Sequence, residues 1–232
     1  MRLLVIIPAY NEEGSIERVV DNLIQNHSQY DYVVVNDGST DRTAEICARS
    51  GYRALSLKTN TGLACAFQTG LRLAYEEGYD YAIQFDGDGQ HEAACIQGLL
   101  DEMLARNADI VIGSRFVSGK KSFRPRMLGN RLLEWAIRLT TGVRIKDPTS
   151  GMRLLNRAMI REFATSMNYG PEPDTLAYLL HNHVKVCEVQ VEMHERTAGD
   201  SYLNIVSSMR YMLRMVISIL LFQNFRKREE SL

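Results

Sequence analysis

The sequence predicts an α/β fold, with a mostly parallel central sheet flanked by helices and an amphipathic helix near the C-terminal end. Two patterns support this fold class. Between residues 3 and 113, short apolar runs of strand type alternate with longer segments in which apolar residues recur at helical spacing. Polar segments rich in Asp, Asn and Gly follow directly after several of these runs, where open α/β sheets place their ligands.

Length and composition favour a single α/β domain. The chain has 232 residues, of which 45% are hydrophobic and 24% are charged, and this suffices for one sizeable core. We expect that domain at residues 1–202, followed by an amphipathic, basic helix and tail at 203–232. The formal net charge of -1, without aromatic residues interleaved in a basic patch, indicates no nucleic-acid partner.

Five strands and four helices are expected in the first half of the chain. The strands are expected at residues 3–7, 32–35, 54–57, 81–85 and 109–113. Apolar spacing places the first helix around residues 19–24, and Ser39 or Thr40 can cap a second helix that ends before Gly51. Two longer helices are expected at 62–77 and 93–106. Strands that alternate with helices in this way pair in parallel.

The regular alternation stops after Arg115. Residues 116–126 are expected to form a basic loop, and a helix is expected at 128–139. Further strands are expected at 151–155 and 186–193, with a helical stretch around 175–180 between them.

The cysteines predict a reducing compartment. They form no CxxC pair and lie within or next to expected helices and strands, at Cys47, Cys65, Cys95 and Cys187. We therefore expect small, buried, apolar side chains rather than disulfides. The apolar start of the chain is too short for a signal peptide, ends at Pro8 and lacks a small-residue cleavage site, which favours the cytoplasm.

The C-terminal segment differs in kind from the rest of the chain. Residues 203–225 are largely apolar, and four polar residues recur there on one helical stripe, Ser207, Arg210, Arg214 and Ser218. Two arginines argue against a membrane-spanning helix, which needs ~20 mostly apolar residues. An amphipathic helix in the membrane interface is one interpretation, and a helix packed on the α/β domain or in a dimer interface is the other.

A pair of aspartates after the fourth expected strand predicts a metal site. In extended chain, side chains two residues apart point to the same side, so Asp86, Asp88 and Gln90 could face one ion. Their oxygens suit Mg²⁺ or Mn²⁺ rather than zinc. A solvated Asp-Gly turn is the alternative. An EF-hand loop is excluded, because its glycine position is His91 and its last ligand position is Gln97.

Polar segments also follow the first two expected strands, PAYNEE at residues 8–13 and NDGSTD at 36–41. Neither is a glycine-rich phosphate loop of the GxGxxG or GxxxxGK[ST] type, which argues against dinucleotide oxidoreductases and P-loop enzymes. Carboxylates at these positions can accept hydrogen bonds from a base and from ribose hydroxyls, and Tyr10 offers a ring face. Each could equally cap a helix or form a turn, and for Asp41 the start of a helix is the better interpretation.

Seven short segments, taken in order, resemble glycosyltransferase family 2, whose members are inverting GT-A enzymes with nucleotide-sugar donors. The segments are PAYNEE at 8–13, NDGSTD at 36–41, NTG at 60–62, DGDGQH at 86–91, GSRF at 113–116, DPTSGMR at 147–153 and RTAGDS at 196–201. The resemblance covers Val5 to about Asn204 and is greatest to the polyprenyl-phosphate sugar synthases. It implies a GT-A fold and a metal-dependent, inverting transfer of a hexose from UDP- or GDP-hexose to a polyprenyl phosphate.

The resemblance also implies roles for individual residues. The nucleotide-sugar pocket would contain Pro8, Ala9, Tyr10, Glu12, Asp37, Asn60, Gly62, Asp86 and Gly87. The metal, Mg²⁺ or Mn²⁺, would be bound by Asp86, Asp88 and Gln90, with Asp88 central to catalysis. Arg115 and Arg126 would face the acceptor phosphate, and Arg196 would close over the site. The chain departs from the family at Gly89, where leucine is more usual, and at the rigid Pro-Glu-Pro of residues 171–173.

Two classes of acceptor remain open. A hydroxyl of a growing glycan would need a carboxylate base, for which Glu172 and Asp174 are candidates, unless they are acids favoured at a helix start. A phosphate needs no base because it is already anionic. A cluster of basic residues favours an anionic lipid acceptor, although a solvated loop is the alternative, and its members are Lys120, Lys121, Arg124, Arg126 and Arg131.

The expected partners follow from these acceptors. A lipid acceptor implies a peripheral position on the cytoplasmic face of the membrane, with a small membrane subunit or a homo-oligomer as further partners. Two other classes of protein stay in view, a non-catalytic nucleotide-sugar-binding subunit and a nucleotidyltransferase. The second usually carries a glycine-rich basic loop after the first strand, which residues 8–13 do not provide.

Overall fold

A computed structural model describes residues 1–118, 125–165, 170, 172–192 and 205–223, with the backbone alone at 125–126 and 205–209. Its strands are β1 (Leu3–Ala9), β2 (Asp31–Asn36), β3 (Ala54–Ser56), β4 (Tyr81–Gln84), β5 (Ile110–Ser114), β6 (Arg153–Asn156) and β7 (Val186–Gln190). Its helices are α1 (Ile16–Asn26), α2 (Thr43–Arg49), α3 (Leu63–Glu76), α4 (Cys95–Arg106), α5 (Pro125–Thr141), α6 (Arg157–Thr165), α7 (Pro173–His181) and α8 (Ile205–Ile217). A π-helical turn, Ser218–Phe222, continues α8.

The strands form one sheet in the order β3-β2-β1-β4-β6-β5-β7. Only β6 runs antiparallel to its neighbours among the described strands, so the expectation of a mostly parallel sheet is confirmed. The reversal of β6 was not predicted. Because β6 starts at the edge where β5 ends, the loop that enters β6 lies at the carboxyl edge of the sheet, where Asp147 contacts Arg115.

Two apolar cores cover the two faces of the sheet. Every residue of β1 is buried, and its alternate side chains point to opposite faces. Leu4 and Ile6 join a core formed with α3 and α5 to α8. Leu3, Val5 and Ile7 join the other core, formed with α1, α2 and α4. This burial on both faces explains the continuous apolar run of β1 and makes it the centre of the fold.

The start of α2 was predicted two or three residues too early. Asp41 accepts hydrogen bonds from the backbone N–H of Thr43 at 2.9 Å and from its hydroxyl at 2.6 Å. Asp41 is therefore the residue that satisfies the helix start, as the interpretation preferred for Asp41 held. Ser39 and Thr40, the expected caps, instead bind Asn11.

The expectation that all four cysteines are buried needs correction, and one helix was missed. Cys47 is buried, but Cys65 is exposed and the other two cysteines are only half-buried. Helix α6 was not predicted, because the polar residues within its short sequence obscure the four buried positions that share one face.

The C-terminal helix packs on the α/β domain through one face. Met215, Val216 and Ile219 are buried in the core with α5 and α7. Ser218, expected on the polar stripe, lies on the packed side and donates to Asp174 at 2.7 Å. Packing on the domain is therefore part of what this helix does. Within the described ranges, no helix is long and apolar enough to cross a membrane.

Candidate functional site

A cavity of about 300 Å³ opens at the carboxyl edge of the sheet, beside the ends of β1, β2 and β4. Since β2 and β4 flank β1 on opposite sides, the cavity lies at the point where the strand order reverses. Every residue assigned from the sequence to the nucleotide-sugar pocket or to the metal lines this cavity. Leu63 and Ala66 line it as well and were missed, because only the packing of α3 against β1 brings its first turn here.

The loops after β1 and β2 hold each other in place. The backbone N–H of Asn11 donates to Oγ of Ser39 at 3.0 Å, and Oδ1 of Asn11 accepts from the backbone of Thr40 at 2.8 Å. The backbone N–H of Glu12 donates to Oγ1 of Thr43 at 2.9 Å. These bonds fix the positions of Tyr10 and Glu12 in the cavity wall before any ligand binds.

Asp37 fixes the entry to α3. Its Oδ1 accepts from the backbone N–H and the hydroxyl of Thr61 at 2.8 and 2.6 Å, and its Oδ2 accepts from the backbone of Gly62 at 2.7 Å. The carboxylate is buried. Hydrogen bonds from residues 61–62 thus stabilise the buried carboxylate. In turn, Asp37 fixes the cavity wall that Asn60 and Gly62 form.

The acidic segment after β4 is a turn, not the extended chain expected from the sequence. Strand β4 ends at Gln84, and Oδ1 of Asp88 accepts from the backbone N–H of Gln90 at 3.0 Å, closing an Asx turn. Gly89 has a φ of +78°, which a leucine would adopt only under strain. The departure from the family at this position therefore matches a local backbone shape. The turn still brings Asp86, Asp88 and Gln90 to one cavity.

Buried neighbours hold the Asp86 carboxylate in position. Gln84 donates to Oδ1 of Asp86 at 3.2 Å. The backbone N–H of Asp86 donates to Nδ1 of His91 at 3.0 Å, so a neutral His91 carries its proton on Nε2, which lies 3.5 Å from Oδ2. An ideal Cβ at Gly151 would lie 3.1 Å from that oxygen. The role of His91 in positioning Asp86 was not predicted, since its only signal was its place at the end of the motif.

The donor set fits a hard divalent cation bound together with phosphate. Asp86, Asp88 and Gln90 supply oxygen donors that face one cavity. The described part of the chain contains no group of three His, Cys, Asp or Glu that could hold a metal by itself. Mg²⁺ and Mn²⁺ are commonly held by one or two carboxylates with substrate phosphates completing the coordination shell, so the small protein contribution suits them.

Arg115 forms a bidentate ion pair with Asp147. Its Nε lies 2.7 Å from Oδ2 and its Nη2 lies 2.8 Å from Oδ1, and its backbone N–H also donates to Asp147 at 3.1 Å. Burial alone would lower the pKa of Arg115, but the hydrogen bonds and charge of Asp147 outweigh it and raise that pKa. Glu188 accepts from the backbone N–H groups of Lys146 and Asp147, which holds the partner in place. Arg115 therefore joins the end of β5 to residues 147–151.

The candidate bases lie at the start of α7 and bind the C-terminal helix. Glu172 accepts a hydrogen bond from the hydroxyl of Tyr211, and Asp174 accepts from Ser218. Neither carboxylate lines the cavity beside β1, β2 and β4, which we call the donor cavity because it contains the residues assigned from the sequence to the nucleotide-sugar pocket. Both occupy positions that favour acids at a helix start, Glu172 as the N-cap and Asp174 in the first turn.

Arg153 holds the loop beside Asp86 and lies within the electrostatic influence of these acids. Its Nη2 donates to the carbonyl of Pro148 at 2.8 Å and its Nε donates to the carbonyl of Ser150 at 3.1 Å. Complete burial lowers the pKa of Arg153, and the charge of Glu172 is the largest opposing influence. In the sequence, Arg153 was noted only as the last residue of the segment DPTSGMR. The structure identifies it as the residue that holds residues 148–150 in place.

Several residues assigned from the sequence lie outside the described parts of the chain. They are the side chain of Arg126, the whole of Arg196, and the basic residues Lys120, Lys121 and Arg124. Their proposed contacts with the acceptor therefore stay predictions.

Comparison with known proteins agrees with this geometry. A family model described as Glycosyl transferase family 2 matches residues 4–164. The chain is 31% identical over 218 residues to an undecaprenyl-phosphate mannosyltransferase of Micrococcus luteus, covering 88% of each chain. It is 29% identical over 214 residues to a UDP-N-acetylglucosamine–dolichyl-phosphate N-acetylglucosaminyltransferase of Methanococcus voltae, covering 82% of this chain and 84% of the relative.

The fold matches a solved structure as well. Glucosyl-3-phosphoglycerate synthase from Mycobacterium tuberculosis, in complex with Mn²⁺, uridine diphosphate and phosphoglyceric acid, superposes with a TM-score of 0.68. The match covers 98% of this chain and 80% of that chain at 21% identity. At this identity the similarity establishes the GT-A type of fold and nothing further about substrates.

Proposed function

Because the chain belongs to glycosyltransferase family 2, we propose that it moves a hexose from a nucleotide sugar to a polyprenyl phosphate, with inversion at the anomeric carbon. The observation that carries this proposal is the single cavity that unites the loops after β1 and β2 with the acidic turn after β4. Relatives that match over most of their length are named for transfer to undecaprenyl or dolichyl phosphate, which supports the same acceptor class here.

Donor binding uses the pre-formed part of the cavity. Tyr10 offers a ring face, and Glu12 can accept hydrogen bonds from the donor nucleoside. Asp37 acts through residues 60–62, whose backbone it fixes. Because these loops are already bonded to one another, little conformational freedom is lost when the donor binds.

The diphosphate end of the donor would lie at the acidic turn. Asp86, Asp88 and Gln90 would hold Mg²⁺ or Mn²⁺ there, and the bound ion would neutralise the charge that develops on the leaving diphosphate. Gln84 and His91 keep the Asp86 carboxylate aimed at the cavity. The residues of this chain thus orient the leaving group, so that an acceptor can approach the anomeric carbon from the opposite face.

A phosphate acceptor agrees with the surroundings of the candidate bases. Glu172 and Asp174 bind Tyr211 and Ser218 and do not line the cavity. A phosphate nucleophile is already anionic near neutral pH and needs no proton removed. Arg126 and Arg196 are the proposed contacts to it. Asp147 occupies Nε and Nη2 of Arg115, which leaves Nη1 as the atom through which Arg115 would reach the acceptor.

An apolar surface on α5 and α8 would bring the enzyme to its lipid substrate. On α5, exposed apolar side chains recur every three or four residues and so form one line, the α5 ridge, comprising Leu128, Leu132, Trp135 and Leu139. The adjacent helix α8 and its π-helical turn expose Leu213, Ile217, Leu221 and Phe222. We propose that this surface rests in the membrane interface, since such a patch is unusual on a monomer that stays in water.

Vesicle flotation tests this membrane surface. Removal of α8 would expose the core around Met215, so exposed residues are the better targets. Leu132→Gln combined with Leu221→Gln should reduce flotation with neutral-lipid vesicles. A control with Ile24→Gln and Leu104→Gln changes two equally exposed apolar residues elsewhere and should float like the wild type. If the Leu132 and Leu221 double variant floated as well as the control variant, the proposed membrane surface would be wrong and a protein partner would be favoured.

Product analysis tests the transfer itself. Purified full-length protein would be incubated with radiolabelled UDP- or GDP-hexoses, Mg²⁺ or Mn²⁺, and polyprenyl phosphate. We expect label that extracts into organic solvent with the lipid. Free sugar 1-phosphate that forms only when pyrophosphate is added, as the acceptor of the nucleotidyl group, would indicate a nucleotidyltransferase, and donor binding without any product would indicate a non-catalytic subunit.

A further inference from the structure

A second cavity, of about 430 Å³, lies between α5 and residues 142–146. It shares no lining residue with the donor cavity. Four cationic side chains line it, Arg131, Arg138, Arg144 and Lys146, against one carboxylate, that of Glu134. We call it the cationic cavity.

The single carboxylate offsets only part of this charge. Nε of Arg144 lies 2.7 Å from Oε1 of Glu134. Lys146 donates from Nζ to the backbone carbonyl of Val117 at 2.7 Å, a contact that satisfies a donor without removing charge. The lining therefore keeps an excess of positive charge, and a cavity with such a lining attracts an anion.

The cationic cavity adjoins the α5 ridge. Trp135 lines the cavity and is also a member of the ridge, with 54% of its surface exposed. Arg131 and Arg138 are seven residues apart on α5, so they share one line along the helix, directly beside that of Trp135. Apolar, aromatic and cationic groups thus follow one another around α5, in the order in which a bilayer presents acyl chains, interface and headgroups.

We propose that the cationic cavity binds the phosphate group of an anionic phospholipid, as a contact separate from the acceptor site. This proposal rests on the membrane surface argued above, because the cavity would meet headgroups only when the α5 ridge lies in the interface. The planar guanidinium groups of Arg131, Arg138 and Arg144 suit the oxygens of a phosphate. Trp135 would lie at the level of the headgroups, where tryptophan is enriched in membrane proteins.

The chain carries its own probe of this site, since Trp135 is its only tryptophan. Full-length protein would be titrated with a short-chain phosphatidylglycerol below its micelle concentration, while Trp135 fluorescence is recorded. Short-chain phosphatidylcholine and inorganic phosphate, at equal ionic strength, are the comparison ligands. We expect a saturable change with phosphatidylglycerol at concentrations at least 10-fold lower than with either comparison ligand.

Arginine variants connect the signal to the cavity. Arg138→Gln combined with Arg144→Gln should weaken phosphatidylglycerol binding roughly 10- to 30-fold, because each cation near an anionic lipid contributes to affinity. The matched control, Arg106→Gln with Arg157→Gln, removes the same charge from exposed positions outside the cavity and should bind within about 2-fold of wild type. Equal weakening of both variants would overturn the proposal, because the effect would then be one of net charge.

Two further outcomes would overturn the assignment to an anionic phospholipid bound apart from the acceptor. Inorganic phosphate that binds as tightly as phosphatidylglycerol would make the cavity a site for free anions. A rise in the KM for polyprenyl phosphate in detergent micelles, as large as the loss of phosphatidylglycerol affinity, would assign the cavity to the acceptor. A wild-type protein that binds phosphatidylglycerol in this way but makes no glycolipid would refute the proposed transfer and leave the lipid site standing.

Discussion

Arg115 and Asp147 form a bidentate ion pair, with Nε to Oδ2 at 2.7 Å and Nη2 to Oδ1 at 2.8 Å, in which Asp147 is fully buried. The pair connects the end of β5 to the loop whose Gly151 lies against Asp86. It makes Arg115 first of all a residue that holds the site together, and under the proposed function Nη1 is the atom through which it would reach the acceptor.

Breaking this pair should destabilise the protein. Arg115→Gln leaves the fully buried Asp147 carboxylate without its partner, which costs about 3 kcal/mol. Asp147→Asn leaves Arg115 without its charged partner and should cost less, because that side chain is partly exposed to solvent. Urea unfolding of both single variants and the double variant measures the coupling between them. We expect the double variant to lose much less stability than the sum of the single losses. Additive losses, or losses no larger than that of the exposed Asp101→Asn, would contradict the structural role.

Asp88→Asn should abolish transfer without unfolding the protein. The substitution keeps the side-chain shape, so the turn can form, but it removes a carboxylate from the proposed metal site. A loss of at least ~10³ in kcat is expected, because metal stabilisation of the leaving diphosphate is worth several kcal/mol. Steady-state rates across a Mg²⁺ and Mn²⁺ titration test this, with the melting temperature as the check on folding. Turnover near the wild-type value in the presence of a chelator would refute the metal assignment.

Gly38→Ala should impair donor binding. An ideal Cβ at Gly38 would lie 2.4 Å from the backbone carbon of Thr59, so residues 59–62 would have to move. Gly51→Ala is the matched control, since it shares the positive φ but has no atom within 4 Å of the added Cβ. Calorimetric titration with nucleoside diphosphate should show weaker binding for Gly38→Ala only. Equal binding by the two variants would show that the donor tolerates movement of this wall.

Tyr211→Phe should loosen the C-terminal helix in a pH-dependent manner. Burial, followed by the charge of Glu172, raises the pKa of Tyr211 in the folded protein. The folded state therefore holds this proton more tightly than the unfolded state, in which the pKa is ~10. The stabilisation is fully present below about pH 10 and is lost as the pH rises above that value.

The free energy of unfolding of Tyr211→Phe should accordingly be about 1 kcal/mol lower at neutral pH. The gap to the wild type should narrow above about pH 10. Tyr75→Phe, at an exposed position on α3, serves as the control. A gap that stays constant up to pH 11 would show that the hydroxyl contributes through packing alone.

The cavity at the ends of β1, β2 and β4 could be predicted because its sequence signals are local. Asp37 and Asp86 each follow directly on an apolar strand, and parallel strands end at one edge. Knowledge of neighbouring strands is then enough to place these residues in one cavity. The prediction of extended chain after Asp86 was wrong because Gly89 permits a backbone conformation with positive φ, which the spacing of the carboxylates does not reveal.

The partners of Arg115 and Glu172 could not be predicted in the same way. Arg115 and Asp147 are 32 residues apart, and Glu172 and Tyr211 are 39 apart, so no local pattern pairs them. Both contacts depend on the tertiary path of the chain, in which β6 runs against its neighbours and α8 returns to the domain. The sequence alone does not show whether an acidic or arginine side chain already has an ion-pair or hydrogen-bond partner in the folded protein.

The acceptor class is the central claim, and one comparison of variants tests it most directly. The rate of hexose transfer to polyprenyl phosphate is measured for Glu172→Gln and for Arg126→Ala and compared, and the affinity for the nucleotide-sugar donor is measured for both. A phosphate acceptor needs no base, so Glu172→Gln should keep most of the activity. Arg126→Ala should bind the donor normally and lose roughly 10- to 100-fold in rate, as expected for a lost charge-assisted contact. An inactive Glu172→Gln beside a fully active Arg126→Ala would contradict the account and point to a glycan hydroxyl as the acceptor.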